Sequence, residues 1–564
     1  MKRLRPFIIR YSLQVCLLLP LLCSCSDDWD NHYKESNIAG ETLWTTLSSD
    51  PELSNFVSVL NACGYESSLN SSQVFTVFAP TNASLSAADR DSLISRYNRQ
   101  KNSGINDKNN TSIKEFVQNH IALYNYSVSS LTDDSIRMMN GKSLPFSTEN
   151  FAGAKYINKN IPASNGLLYT IGNVVDYSPN VYEYIARDAS LSGVYDFLHS
   201  FDVEKFDPSQ SVPGEIVDGK TVYLDSVTVL ENILFDYNLG KIYDEDSTYW
   251  MVVPTNEVWD TLVARYSKLY EYDKLTVERD TFSFLYPRFH ALLGSVFSRT
   301  KNTDKSICDS VEATTAIPYK RRYEAYGSYD KRYRVYDKPF VEGGVFYNTE
   351  DHVCSNGLVK KVDKLEDWNF DPYNTFITDI IMEGEETATL DSVDSKSTRE
   401  LSFYNVTTDN PFYNKVSGHG YAQMQPSGSS APKAVFNIAN VRSNLAYDVY
   451  VVVAPALAGD TAATALQCLP TIFRSTLYYH DLSGKEVKFA TSANKTTDPT
   501  KVDSVYIGTY VFPTCSYDLP EPQVKMLIES RVSNTQERNG THTKTLRLDA
   551  IVFKPNPNPT TISK

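Results

Sequence analysis

Val77-Phe78-Ala79-Pro80-Thr81-Asn82 is echoed by Met251-Val252-Val253-Pro254-Thr255-Asn256 further along the same chain. Ser164-Asn165-Gly166-Leu167 is echoed by Ser355-Asn356-Gly357-Leu358. Between the two strings of each copy stands a histidine, His120 or His290, followed by an apolar run. Three landmarks in the same order, twice, indicate a duplicated domain.

In the first copy the opening string follows Gln73-Val74-Phe75-Thr76, a run whose Val and Phe content reads as a strand that Ala79-Pro80 stops. Leu43, Trp44, Leu47, Leu53, Phe56, Val57 and Leu60 recur upstream at helical spacing, and Asp50-Pro51 supplies a helix start. Downstream, 83–97 reads as a helix, with Thr81 or Asn82 placed to accept from its unpaired N–H groups. Ser112-Ile113-Lys114-Glu115 has the form of a capping box opening a second helix, on whose apolar face His120 falls. Gly166 marks a backbone position that other residues resist. A ring such as that of His120 is either a catalytic or metal-binding group or a neutral core histidine with backbone partners. The core reading is preferred, because no Ser-His-acid set or metal-spaced partner accompanies it.

The two strings and the intervening histidine resemble the fasciclin domain, an adhesion and interaction module. Thr81, Asn82, His120, Asn165 and Gly166 in the first copy, and Thr255, Asn256, His290, Asn356 and Gly357 in the second, match the structural motif of that family. The resemblance implies a β-sandwich wedge with several helices over 41–178 and again over 179–366. The second copy departs further. Its gap from His290 to Asn356 is longer and includes Tyr319-Lys320-Arg321-Arg322-Tyr323 and Tyr329-Asp330-Lys331-Arg332-Tyr333, read as a basic, aromatic hairpin. That hairpin is either a binding insertion or an edge ladder kept soluble by its charges. A hairpin is also expected over 219–234, turning at Gly219-Lys220.

The N-terminus bears on compartment. Lys2, Arg3 and Arg5 precede an apolar stretch ending in Leu22-Cys23-Ser24-Cys25, the pattern of a lipoprotein signal over 1–24, with Cys25 as the lipidated residue and Cys23 as the second choice. Asp27, Asp28 and Asp30 follow in a tether over 25–40 and resemble the export signal of surface lipoproteins in Gram-negative bacteria. The expected location is therefore the outer membrane, lipid-anchored and facing outward.

The 564 residues suggest several domains, and a net charge of −14 argues against a nucleic-acid groove. Beyond Cys25 only Cys63, Cys308, Cys354, Cys468 and Cys515 remain, neither metal-spaced nor a disulfide framework; Cys308 and Cys354 share one repeat and could join. From 371 to 556 the pattern changes to short strands over 447–453, 471–479, 485–489, 505–511, 523–529 and 545–553, separated by polar turns, with a frayed tail over 557–564. This implies an all-β, jelly-roll-like sandwich, making the whole chain α+β. Trp368, Tyr404, Tyr413, Tyr421, Tyr478 and Tyr479 are aromatic groups that either pack the sandwich or present a surface to sugar.

The chain carries no HExxH, P-loop, GxSxG or CxxC string. We therefore expect no catalysis and no cofactor. The expected role is a surface adhesion or interaction module whose partner is an extracellular protein or glycan and not a nucleic acid. The alternative is a glycan-binding accessory lipoprotein of a polysaccharide-uptake system.

Overall fold

A computed structural model describes residues 40–128, 134–206, 212–217, 220–225, 228–298, 309–319 and 330–563. Cys25, Asp27, Asp28 and Asp30 lie outside the described residues, as do Cys308, Gly219, the hairpin tip 320–329 and Lys564. Among the described residues no helix is long and apolar enough to cross a membrane. The chain divides into two compact units between Ser178 and Pro179.

In the first unit, β1 (Phe75–Pro80), β2 (Ile121–Leu123), β3 (Asp134–Arg137), β4 (Ser143–Phe146), β5 (Asn150–Phe151), β6 (Ala154–Ala163) and β7 (Gly166–Ile171) form one sheet in the order β2-β1-β7-β6-β5-β4-β3. All six residues of β1 are buried because the sheet has a core on each face. Val77 and Ala79 pack with Leu43, Leu47, Phe56 and Leu60 of the helices. Phe78 turns to the other face, where its ring stacks on Phe151 at 3.7 Å. Alternation along one strand thus feeds both cores.

Two local readings change. The helix after β1 begins at Ala87, not at 83, because Ser86 and Asp89 form a capping box there. Ser112 opens no capping box. It is fully buried and its hydroxyl donates to Leu93 O at 2.9 Å, while the helix of Ser112–Val117 has no side-chain cap. The sequence pattern was present, but burial against the preceding helix redirects the hydroxyl.

In the second unit, β8 (Asp202–Phe206) pairs with β11 (Thr228–Asn232), and β9 (Val212–Val217) pairs with β10 (Lys220–Asp225). The single hairpin expected over 219–234 is therefore two nested ladders. Next, β12 (Tyr249–Pro254), β13 (Val296–Ser298), β14 (Ser310–Tyr319), β15 (Asp330–Asp337), β16 (Glu350–Cys354) and β17 (Gly357–Val362) build a sheet in the order β15-β14-β13-β12-β17-β16. Its central register repeats that of the first unit. Phe75 faces Gly166 and Pro80 faces Ile171 in the parallel pair β1–β7, as Tyr249 faces Gly357 and Pro254 faces Val362 in β12–β17.

The remaining residues form a sandwich of two antiparallel sheets. One runs Thr398–Asn405, Gly420–Pro426, Leu546–Pro555, Ala446–Val453, Asp503–Val511, with Ile380–Glu383 also on Leu546–Pro555. The other runs Leu390–Val393, Lys433–Ile438, Val524–Ser530, Ile472–His480, Glu486–Thr491. Val449, Val451, Leu548 and Phe553 meet Phe436, Phe473, Leu477 and Met526 between them. The fold is α+β, and the C-terminal third is all-β as its alternating pattern indicated. The second repeat and the sandwich share one continuous apolar core, in which Trp250 and Val252 belong to the same cluster as Tyr447 and Ile551.

Candidate functional site

The repeated residues form a hydrogen-bonded scaffold that is the same in both copies. Asn165 Oδ1 accepts from Leu43 N at 2.7 Å, and its Nδ2 donates to Leu69 O and Ser71 O, both at 2.8 Å. Asn356 Oδ1 accepts from Val181 N at 2.9 Å, and its Nδ2 donates to Ile242 O and Asp244 O, both at 2.9 Å. Each buried amide thus ties a helix N-terminus and a loop to the sheet, and supplies partners that backbone groups far apart in sequence lack.

Asn82 and Asn256 do the same one layer away. Asn82 Oδ1 accepts from Asn55 N at 3.0 Å, and Nδ2 donates to Pro51 O at 2.9 Å and Ser54 Oγ at 3.0 Å. Asn256 Oδ1 accepts from Gly193 N at 2.9 Å, and Nδ2 donates to Ala189 O and Ser192 Oγ, both at 3.0 Å. Asn82 therefore caps the helix of Ser54–Ala62 and not the one that follows it. Thr81 N and Thr255 N each continue the parallel ladder, to Ile171 O at 3.3 Å and Val362 O at 2.9 Å. Gly166 and Gly357 take φ of +148° and +146°, and a Cβ on either would lie within 2 Å of a carbonyl oxygen, 1.9 Å from Phe75 O and 1.7 Å from Tyr249 O.

The two histidines do not hold the same place. His120 is fully buried immediately before β2, and Phe78 N donates to its carbonyl at 2.9 Å. In the second copy Val252 N donates instead to Ser295 O at 2.9 Å, because the helix of Arg279–Leu292 runs on past His290. Both rings still bond the carbonyl four residues earlier, Phe116 O at 2.8 Å and Tyr286 O at 2.9 Å. His120 Nε2 also accepts from Val175 N at 3.1 Å, which makes the ring a neutral Nδ1–H tautomer. Burial pushes the His120 imidazole down to about 4 and that of His290 well below its ordinary range, the latter with help from the Arg442 guanidinium. Among the described residues neither ring is hydrogen-bonded to a carboxylate that would make it a base or nucleophile activator.

The strap between the two helices of the second copy, 268–276, is what sequence reasoning missed. The first copy has the polar run Ser103-Gly104-Ile105-Asn106-Asp107 in the corresponding loop; the second has Leu269, Tyr270 and Tyr272. Tyr270 and Tyr272 are buried in the sandwich surface. Ser443 Oγ donates to Lys268 O at 2.8 Å, Cys515 N to Glu271 O at 2.8 Å, and Tyr272 OH to Tyr517 O at 3.0 Å. Two tyrosines in a loop were the available signal.

The aromatic residues considered for sugar contact are mostly occupied by protein. Trp368 is buried against Phe370, Tyr421 is buried under the stacked ring of Tyr404 at 5.3 Å, and Tyr413 stacks on His419 at 3.8 Å. Tyr478 and Tyr479 are half-buried. Residues 319 and 330 close the β14–β15 ladder, whereas Lys320, Arg321, Arg322, Tyr323 and Tyr329 fall outside the described residues. Buried Cys63 and Cys515 have their thiols raised by burial to about 12 and about 11, which leaves little thiolate for reaction.

The sequence profile of the Fasciclin domain matches residues 51–176. That segment is a fasciclin domain. The bond from Leu43 N to Asn165 adds the helix of Leu43–Ser49 to the same domain. No curated protein matches the chain. Among solved structures, the FAS1 domain pair of the insect cell adhesion molecule Fasciclin I aligns with 56% of this chain and 98% of its own, at 13% identity and a TM-score of 0.19. The CBM22-1 xylan-binding domain of Paenibacillus barcinonensis Xyn10C aligns with 32% of this chain and 95% of its own, at 12% identity and a TM-score of 0.20.

Proposed function

We propose that this chain is a lipid-anchored surface protein of the outer membrane that binds an extended extracellular partner through two tandem fasciclin-like domains and a sandwich, and performs no chemistry. The observation that carries the reading is the duplicated scaffold. Asn82, Asn165, Asn256 and Asn356 all direct their amides to internal partners, so the signature residues hold a shape for a surface to use. A fasciclin domain is an interaction module, and repetition on one tethered chain raises the effective concentration of each weak site.

The anchor rests on Leu22-Cys23-Ser24-Cys25 and the acids after it. Acyl chains contribute about 0.8 kcal/mol per buried CH₂, so more than one chain gives stable retention. Cys25→Ala is expected to abolish labelling by a fatty-acid probe; undiminished labelling would move the site to Cys23.

A glycan partner is favoured by one feature of the sandwich. Tyr506 is 44% exposed and lies 5.5 Å from Tyr450 on the sheet face opposite Val449 and Val451, giving an aromatic surface suited to a sugar ring. The test is a screen of the full chain against immobilised glycans and matrix proteins. Retained binding is expected for at least one class, and loss on Tyr506→Ala assigns it to the sandwich. Turnover of any glycan or ester, removed by a single substitution, would overturn the non-catalytic reading.

A further inference from the structure

The landmark histidines differ in who surrounds them. The ring neighbours of His120 are Phe56 and Phe116, and its bonded partners are Phe116 O and Val175 N, all from its own repeat. His290 sits on a seam. From the second repeat it meets Tyr270, whose ring is 5.4 Å away and parallel within 1°, together with Tyr286 and Phe289. From beyond that repeat it meets Phe376 at 4.4 Å and Tyr517 at 5.7 Å.

Arg442 closes the seam from the sandwich side. It is buried, its Nε donates to Tyr270 OH at 3.2 Å, and its guanidinium carbon lies 4.4 Å from the centre of Tyr517 and 5.8 Å from that of Phe376. Tyr270 OH is in turn 2.7 Å from His290 Nδ1. The titratable and charged groups around the ring are Tyr270 from the strap, Tyr286 from its own helix, Arg442 from the 439–445 loop, and Tyr517 from the 513–522 loop. Cys515 and Tyr447 lie behind Arg442. The one carboxylate of this group, Asp518, accepts from Tyr286 OH.

We propose that His290 and Arg442 form an acid-sensitive latch, which opens the seam between the strap of the second repeat and the sandwich loops when the imidazole takes up a proton. An imidazolium in this seam would place a second cation beside a guanidinium in a water-poor aromatic cage. Opening the seam removes Phe376, Arg442 and Tyr517 from the ring and returns it to water. The open form therefore binds a proton near the ordinary value of about 6.5, whereas the closed form keeps the ring neutral. The sign follows. The seam has its full strength above about pH 6.5, and below it each further pH unit raises the open-to-closed ratio about tenfold. His120 has no such seam, and its ring reaches water only when its whole domain opens.

His480 Nδ1 lies 3.8 Å from Oδ2 of the buried Asp273 on the same interface, and His480→Gln removes that contact.

Hydrogen-exchange protection factors, measured on the full chain from pH 7 to 4.5, test the latch. In the parent and in His480→Gln, amides of 269–273, 440–445 and 513–518 are expected to lose about tenfold protection per pH unit below about 6.5. His290→Gln should abolish that slope, and Arg442→Gln, which removes the neighbouring charge and lets the closed form accept a proton sooner, should shrink it. Protection of the seam that stays constant with pH in the parent would overturn the proposal. So would the parent slope persisting in His290→Gln or, if that variant does not fold, persisting in full in Arg442→Gln.

Discussion

Gly166→Ala is expected to unfold the first unit while leaving the second intact. Gly166 opens β7 directly opposite Phe75 in the parallel ladder. An added Cβ would stand 1.9 Å from Phe75 O and 2.9 Å from Leu43 Cδ1, at a φ of +148° that side-chain-bearing residues rarely adopt. Backbone strain and overpacking each cost about 1–3 kcal/mol. Relief requires moving β1 away from β7, and β1 is the strand that feeds both cores. The combined loss, about 3 kcal/mol or more, is a large share of the stability of a single domain. Limited proteolysis should degrade residues 41–178 and leave a resistant fragment beginning near Pro179, where the two units divide. Gly357→Ala places its Cβ 1.7 Å from Tyr249 O and should instead take the second repeat and sandwich down together, because they share one core. A Gly166→Ala protein with the parent's thermal midpoint and digestion pattern would show that this ladder tolerates a side chain.

Asn165→Ala is expected to cost about 3 kcal/mol or more, out of proportion to the atoms removed. The amide answers three backbone groups, Leu43 N, Leu69 O and Ser71 O, and the side chain is 3% exposed. Each buried group left without a partner costs about 1–3 kcal/mol. Asn165→Asp separates hydrogen bonding from volume. Its carboxylate retains the acceptor for Leu43 N but turns an oxygen toward two carbonyls, so that variant should be weak at neutral pH. It should recover as acid protonates the new side chain, because a group whose folded pKa is raised regains stability as pH falls toward that pKa. Asn356→Ala should reproduce the loss in the second unit through Val181 N, Ile242 O and Asp244 O. Denaturant midpoints report both; an Asn165→Ala protein within about 0.5 kcal/mol of the parent, the range of ordinary surface changes, would mean water replaces the amide.

The sequence by itself determined the duplication, the strand that Pro80 ends, and the change to strand periodicity after residue 371. Each is carried by short-range signals: Val and Phe content up to Phe78, a proline that stops the strand, and Tyr447, Val449 and Val451 alternating with residues of the opposite face. It also marked Asn165 and Asn356, without naming their partners. Only the tertiary structure decided that Asn82 caps the helix before β1 rather than the one after it, that Ser112 bonds Leu93 instead of its own helix, and that His290 lies five positions from the place of His120. It alone decided that Tyr270 and Tyr272 join the second repeat to the sandwich, where Arg442, 172 residues further along from Tyr270, completes the seam. Propensity and periodicity act over a few residues, whereas a buried polar group takes whichever partner the packed chain brings within 3 Å, and that choice is set by every other contact in the core.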